Sequence, residues 1–181
     1  MEKSNLDDTF DTGGEDELRC AIELYGYSIL KYCHNILCDY FEAQDVVQIT
    51  FIKAYKKRKS FKRGTSLSAW LYRIAYTTCM DFLRKKKLLF FMPQYKTNKN
   101  ELYIEDDFIR DDLKAALLTL SPKDRALVFS RIIDQKSYKD LEDIYNTSSD
   151  TLRKRYERAK KKVAKVLKET NPYYKELEEI K

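Results

Sequence analysis

The chain has 181 residues, 43% of them hydrophobic and 35% charged, which is enough to bury one medium-sized core or two small ones. Only four glycines and three prolines are present, so long helices joined by short loops are favoured. No basic start precedes an apolar run and no apolar run could span a membrane, so we expect a cytoplasmic protein. The four cysteines lack zinc-site or CxxC spacing, and the chain has a single histidine; we expect reduced thiols, no metal and no cofactor.

The net charge of +6 conceals a segregation of charge along the chain. The first 17 residues hold seven acidic side chains and one lysine, whereas residues 153–168 hold nine basic side chains and one acidic side chain. Segregation of this kind suits a polyanionic partner better than the net charge suggests.

The N-terminal part of the chain combines an acidic stretch with helical patterns. Acidic residues, two adjacent glycines and the absence of periodicity predict a flexible tail over 1–14. Apolar residues then recur at spacings of three and four from Leu18 to Ile36, which predicts a first helix. Asp39 followed by Glu42 is typical of a capping pair that opens a second helix. The predicted buried face of that helix comprises Ala43, Val46, Val47, Thr50, Phe51 and Ala54. Its opposite face carries Glu42, Asp45, Gln48, Ile49 and Lys53.

A third helix is predicted from about Leu67 to Lys87, after a loop over 61–66. Three helices of this length make a bundle within residues 15–90. The pattern breaks over 91–112, where a proline, a polar run and an acidic cluster predict a linker.

The C-terminal half contains two strong helix starts. Ser121 is followed by Pro122, the pairing of an N-cap with a proline at the first helical position. Ser137 has Asp140 three residues later, a second capping signal. A turn at Asn146, which tolerates a left-handed backbone conformation, then leads into a long basic helix.

A short capped helix, a tight turn and a longer basic helix in this order are typical of a helix-turn-helix, which we predict over 113–170 with a short tail over 171–181. We find no strand pattern in the sequence. The predicted fold class is therefore all-α, with two small helical domains joined by a flexible linker.

The first part of the last helix is the candidate surface for duplex DNA. If Leu152, Tyr156 and Ala159 face the core, the basic residues between them face outward. The candidate contacts are Ser148, Ser149, Thr151, Arg153, Lys154, Arg155 and Arg158. The alternative is a solvated basic face on an ordinary helix.

A second basic segment lies upstream and is interleaved with aromatic residues. Its candidate contacts are Phe61, Lys62, Arg63, Trp70, Arg73, Tyr76, Arg84 and Lys85. Unpaired bases need stacking platforms together with cations for the backbone, and this composition supplies both. The alternative is that part of these aromatic residues simply belongs to the core. No catalytic triad, Gly-rich phosphate loop or carboxylate–histidine cluster is visible, so we do not expect an enzyme.

These segments resemble a known family. Residues 45–55 (DVVQITFIKAY), 68–75 (SAWLYRIA) and 81–87 (DFLRKKK) are similar to the promoter-melting domain of bacterial extracytoplasmic-function (ECF) sigma factors. A second set of residues is similar to the C-terminal promoter-binding domain of the same family. These are Leu117 to Leu120, Ser121, Pro122, Tyr138, Leu141, Ile144 and residues 151–159. The resemblance covers about Leu18 to Lys168 in the family's order and spacing.

The resemblance implies a sigma factor that binds core RNA polymerase, directs it to specific promoters and assists melting of the minus-ten element. Polymerase docking is implied for Asp45, Gln48, Ile49 and Lys53. The loop over 60–68 would capture a flipped base of the minus-ten element, and the segment around Trp70, Arg73, Tyr76 and Arg84 would line the path of the opening duplex. The helix over 151–158 would read the minus-thirty-five element in the major groove. The implied partners are core RNA polymerase, promoter DNA and, as for many members, an anti-sigma factor, with no membrane insertion.

Three departures from the family pattern stand out, of which Asn146 at the turn position usually held by glycine is the mildest. Glu142 replaces a small residue where the two helix-turn-helix helices cross, so its carboxylate must tilt outward or find a cation. Thr77 and Thr78 stand where asparagine is common in the melting helix. The second hypothesis for function is a stand-alone helix-turn-helix regulator whose N-terminal bundle senses or dimerises. A third is a helical adaptor that binds acidic proteins.

Overall fold

The computed structural model describes residues 3–90 and 110–174, and every regular element within these ranges is helical. The helices are α1 (Lys3–Thr9), α2 (Glu15–Leu37), α3 (Tyr40–Lys57), α4 (Leu67–Phe90), α5 (Asp111–Leu118), α6 (Pro122–Ile132), α7 (Tyr138–Tyr145) and α8 (Ser149–Thr170), with a short 3-10 helix (Arg58–Ser60) after α3. The predicted all-α fold in two helical regions is confirmed. None of these described helices is long and apolar enough to cross a bilayer.

The N-terminal region is built on α2, α3 and α4, which pack against one another. Asp39 is the N-cap of α3 and accepts a hydrogen bond from the Glu42 amide at 3.0 Å, as the capping pair predicted. The predicted buried face of α3 is confirmed at Ala43, Val46, Thr50, Phe51 and Ala54, and Val47 is half-buried. Because the Thr50 hydroxyl donates to the Val46 carbonyl at 2.7 Å, this buried polar group is satisfied.

The first residues of the chain differ from the prediction of a flexible tail over 1–14. A seven-residue helix, α1, packs against α2, and Leu6 and Phe10 are buried. The Arg58 guanidinium also donates to the Gly13 carbonyl at 2.9 Å. The prediction was wrong because two apolar side chains are too few to give a periodic signal, and their burial depends on residues distant in the sequence.

The C-terminal region contains the predicted helix-turn-helix. Ser121 and Ser137 cap α6 and α7, and Ser137 and Asp140 form a reciprocal capping box. Asn146 ends α7 with φ 49°, the left-handed conformation expected at the turn. α5 begins at Asp111, one residue before the predicted end of the linker. The rest of that linker, and the tail beyond residue 174, lie outside the described residues.

The two regions share one hydrophobic core, with α6 packed on α2 and α7 packed on α4. The Arg125 guanidinium of α6 is 6% exposed and donates to the Ile36 carbonyl through Nε at 2.8 Å and Nη2 at 2.6 Å. The Tyr145 hydroxyl lies 3.0 Å from the Tyr32 hydroxyl and 2.9 Å from the Ser130 hydroxyl, which joins α7 to α2 and α6. Burial raises the pKa of Tyr32 and of Tyr145, so both phenols stay neutral in this contact.

Replacing Ser137 with alanine is expected to lower the free energy of unfolding by about 1 kcal/mol, because the Asp140 amide loses its cap at the start of α7. Thermal unfolding should show a Tm lower by about 2–4 °C. Ser28→Ala is the matched control, since Ser28 is exposed within α2. An equal loss in both variants would contradict a specific capping role.

Candidate nucleic-acid and protein interfaces

The outer face of α3 is an exposed strip that contains three of the four predicted polymerase-docking residues. Asp45, Gln48 and Ile49 are all exposed, as expected. Sequence reasoning missed Phe41 and Ile52, which are 50% and 53% exposed. Their helical spacing places all five side chains on one side of α3. The sequence contained a signal for them, since these two apolar residues do not share the helical spacing of the buried face of α3.

Lys53, the fourth predicted docking residue, does not share this outer face. Its ammonium donates to the Thr78 hydroxyl at 3.1 Å and lies 3.9 Å from the Asp81 carboxylate, so it faces α4. Glu42 also turns toward α4, where it forms an ion pair with Lys86. The prediction that Lys53 and Glu42 lie on the opposite face was wrong, because α4 covers that flank of α3.

The loop between α3 and α4 presents cations beside buried aromatic rings. Lys62 and Arg63 are exposed, and the turn closes through a hydrogen bond from the Thr65 amide to the Lys62 carbonyl at 3.2 Å. Phe61 is buried, and its ring centroid lies 5.4 Å from that of the half-buried Trp70. The predicted aromatic and basic groups therefore meet in one place.

The remaining predicted minus-ten residues are distributed along α4. Arg73, Arg84 and Lys85 are exposed and continue the basic surface away from the loop. Tyr76 instead packs against Tyr145 of α7, with ring centroids 4.7 Å apart, and burial raises its pKa. In this arrangement Tyr76 is covered by the C-terminal region.

The start of α8 presents most of the predicted minus-thirty-five residues to solvent. Ser148 is the N-cap, and its hydroxyl lies 3.0 Å from that of Thr151. Arg153, Lys154 and Arg158 are exposed along the next turns. The predicted core contacts Leu152 and Ala159 are buried, and Tyr156 and Ser149 are half-buried. The exposed groups lie on the part of the helix that a helix-turn-helix inserts into the major groove.

Arg155 differs from these neighbours because its side chain is only 23% exposed. Its guanidinium donates to the Asp124 carboxylate of α6 at 2.7 Å and 3.1 Å. Burial alone would raise the pKa of Asp124, but hydrogen bonds from Ser121 and Arg155 hold it below its ordinary value. The expectation that Arg155 faces outward was wrong, because α6 lies against that side of α8.

Glu142 is accommodated mainly by the first residue of α8, with a smaller electrostatic contribution from Lys139. Its carboxylate accepts a hydrogen bond from the Ser149 amide at the first residue of α8, and this hydrogen bond lowers the pKa of Glu142. A carboxylate at a helix N-terminus satisfies an otherwise unpaired amide and complements the helix dipole. Glu142 therefore joins the two helices of the motif at the position where a small residue is usual in the family.

Comparisons with known proteins decide the family. The family model described as Sigma-70 region 2 matches residues 21–88, and the model described as Sigma-70, region 4 matches residues 110–163. The RNA polymerase sigma-H factor of Pseudomonas aeruginosa is 30% identical over 162 residues, which cover 77% of this chain and 83% of that protein. The ECF RNA polymerase sigma factor SigW of Bacillus subtilis is 26% identical over 172 residues, which cover 87% of this chain and 92% of that protein. The chain belongs to the ECF sigma factors.

Two solved structures share the fold of this sigma factor. The sigma factor RpoE from Bartonella quintana, in complex with the anti-sigma factor NepR, has a TM-score of 0.68 at 24% identity and covers 83% of this chain and 96% of its own. CnrH, in complex with the cytosolic domain of CnrY, has a TM-score of 0.72 at 17% identity and covers 93% of this chain and 99% of its own. The family models and the two curated relatives, rather than these structures, make this protein an alternative sigma factor of transcription initiation, a class of non-enzymatic factors.

Proposed function

We propose that this sigma factor binds core RNA polymerase through the outer face of α3, selects promoters through α8 and assists melting through the loop before α4. The observation that carries the proposal is the outer face of α3, on which Phe41, Ile49 and Ile52 are at least 40% exposed. Exposed apolar side chains clustered on one helix face mark protein–protein contacts. In a stand-alone DNA-binding regulator the same face would serve sensing or dimerisation.

Promoter selection is assigned to the first turns of α8. Arg153 and Lys154 are exposed there, and an arginine can bridge a guanine edge through two hydrogen bonds. Arg155, held by Asp124, is proposed to position α8 on α6 rather than to touch bases.

Minus-ten melting is assigned to the loop over 61–66 and the start of α4. Unstacking a base costs a few kcal/mol, which an aromatic platform and nearby cations offset. Phe61 and Trp70 supply the aromatic rings, and Lys62, Arg63 and Arg73 supply the cations.

The compact arrangement of the two regions is proposed to open on a promoter. The minus-ten and minus-thirty-five elements lie about 25 base pairs apart, or about 85 Å along the DNA axis at about 3.4 Å per base pair. A compact chain of this length is only about 40 Å across. The contacts of α6 with α2 and of α7 with α4 must therefore break before both elements are read, which also uncovers Tyr76. A connecting segment of about 19 residues can reach about 65 Å.

An anti-sigma factor is proposed as a further partner. Of the two solved structures named above, one is a sigma factor held by an anti-sigma factor, and the other is CnrH held by the cytosolic domain of CnrY. An inhibitor of this class would act by covering the outer face of α3 or by holding the two regions together.

The polymerase assignment is tested by co-elution with bacterial core RNA polymerase on size exclusion. The wild-type chain is expected to co-elute, and the Gln48→Ala, Ile49→Ala variant is expected to bind at least about tenfold more weakly, because truncating a residue at the centre of an interface can cost about 2 kcal/mol or more. The matched control is Ile22→Ala, Glu23→Ala, an adjacent apolar and polar pair exposed on α2.

Retained co-elution of the α3 variant with loss in the α2 variant would overturn the placement of the docking face. No co-elution of the wild-type chain, together with binding to duplex DNA, would favour the stand-alone regulator.

A further inference from the structure

The N-terminal segment inserts an aromatic side chain into the candidate single-strand site. Phe10, which is 1% exposed, follows α1 and lies 6.3 Å from Phe61 and 6.0 Å from Trp70 between ring centroids, in edge-to-face contacts. Phe61 and Trp70 are the two rings to which the proposed function assigns base stacking. The segment therefore places a ring of its own at the position where an unpaired base would need one.

Two carboxylates of the same segment accept hydrogen bonds from groups that commonly bind phosphate. The Arg63 guanidinium donates to both carboxylate oxygens of Asp11 at 3.0 Å and to the Thr12 hydroxyl at 3.2 Å. Asp7 accepts a hydrogen bond at 3.1 Å from the amide of Leu67, the first residue of α4. An arginine fork and a helix N-terminal amide are frequent partners of nucleic-acid phosphates.

We propose that residues 6–12 are an intramolecular occupant of the single-strand DNA site, and that they must leave before the minus-ten strand binds. The inference rests on the proposed function of the loop and adds its regulation. Phe10 stands in for a base, and Asp7 and Asp11 stand in for phosphates. The ring contacts of Phe10 coincide with base stacking, and the ion pair of Asp11 and the amide hydrogen bond of Asp7 coincide with backbone binding; these are the two requirements for single-strand binding.

The segment is held by the burial of Leu6 and Phe10, by its two carboxylate contacts and by the hydrogen bond from Arg58 to the Gly13 carbonyl, all of which must be lost when it leaves. α1 has seven residues, and a helix this short does not persist without its packing. Gly13 and Gly14 join it to α2, and their backbone groups are bonded to Arg58 and Glu17. Once these bonds break, paired glycines allow the backbone to swing at that point. The competing interpretation is that Leu6 and Phe10 make α1 a permanent wall of the N-terminal region.

Asp11→Asn separates these interpretations, since it removes the charge that holds Arg63 while keeping the size of the side chain. Asp8→Asn is the matched control, because Asp8 is exposed on α1 and the variant makes the same change in net charge. The full-length chain is titrated into a fluorescein-labelled 12-nucleotide single strand of mixed sequence, with fluorescence anisotropy as the readout. Asp11→Asn is expected to bind about three- to fivefold more tightly than Asp8→Asn.

Hydrogen exchange of the wild-type chain, with and without the same oligonucleotide, provides the second readout. The DNA is expected to protect amides of the loop over 61–66 and to expose that of Phe10, which is bonded to the Leu6 carbonyl at 3.1 Å. If the two variants bind the DNA equally well, and the DNA protects the loop while the Phe10 amide also stays protected, the proposal for residues 6–12 is wrong but the role of the loop in melting stands. No protection of the loop in either the wild-type chain or Asp11→Asn would overturn it together with the assigned role in melting.

Discussion

Replacing Arg153 and Lys154 with alanine is expected to reduce promoter binding by the holoenzyme about 10- to 100-fold without weakening its binding to core polymerase. Both side chains are exposed in the second turn of α8, and a good contact between a side chain and a base edge contributes about 1–3 kcal/mol. The proposed docking face on α3 belongs to the other region of the chain, so we expect polymerase binding to be retained.

The measurement is run-off transcription from genomic fragments that the wild-type holoenzyme selects, together with co-elution on core polymerase. The control is Lys160→Ala, Lys161→Ala, which removes the same charge from exposed positions farther along α8. Lost phosphate contacts alone would affect all DNA sequences alike. An equal loss in the control would reduce the role of Arg153 and Lys154 to general DNA affinity, and lost polymerase binding would show that the division of labour is wrong.

Arg125→Met is expected to lower the free energy of unfolding by about 3 kcal/mol, the second large effect. Arg125 is almost fully buried, and its guanidinium satisfies the carbonyls of Ile36 and Leu120. Its loss leaves both acceptors buried without this donor, which costs about 1–3 kcal/mol for each. Because the bond to Ile36 joins α6 to α2, the loss weakens the contact between the two regions.

Chemical denaturation monitored by tyrosine and tryptophan fluorescence measures the change in stability. Tyr145→Phe is the graded comparison and should cost about 1 kcal/mol, since it removes only the hydroxyl shared with Tyr32 and Ser130. If the regions open on a promoter, Arg125→Met should keep its transcription activity below the unfolding temperature. A loss of activity that exceeds the fraction unfolded would contradict the opening step.

Local patterns determined most of the secondary structure. The capping residues Asp39, Ser121 and Ser137 predicted three helix starts that the structure contains. The αL turn at Asn146 was equally predictable. These signals are readable because each depends on residues within one turn of a helix.

The candidate sites were less predictable where a distant helix covers a side chain. The helical pattern predicts that Lys53 and Arg155 are exposed to solvent. In the structure each of them pairs with a carboxylate from another helix. Phe41 and Ile52 were hard to assign to a binding surface for the same reason. An apolar residue outside the helical spacing of the buried face is a candidate protein contact only if no other helix covers it, which the sequence does not show.

The sequence by itself determined that this protein is all-helical, that it carries a helix-turn-helix, and that it resembles the ECF sigma factors, because periodicity, caps and motif order are local properties. Only the tertiary structure decided that α1 is a helix, that Phe10 and Asp11 contact Trp70 and Arg63, and that the two regions share a core through Arg125 and Tyr145. Contacts between residues far apart in the chain leave no periodic signal, because burial of one side chain depends on the shape of a surface that exists only after folding.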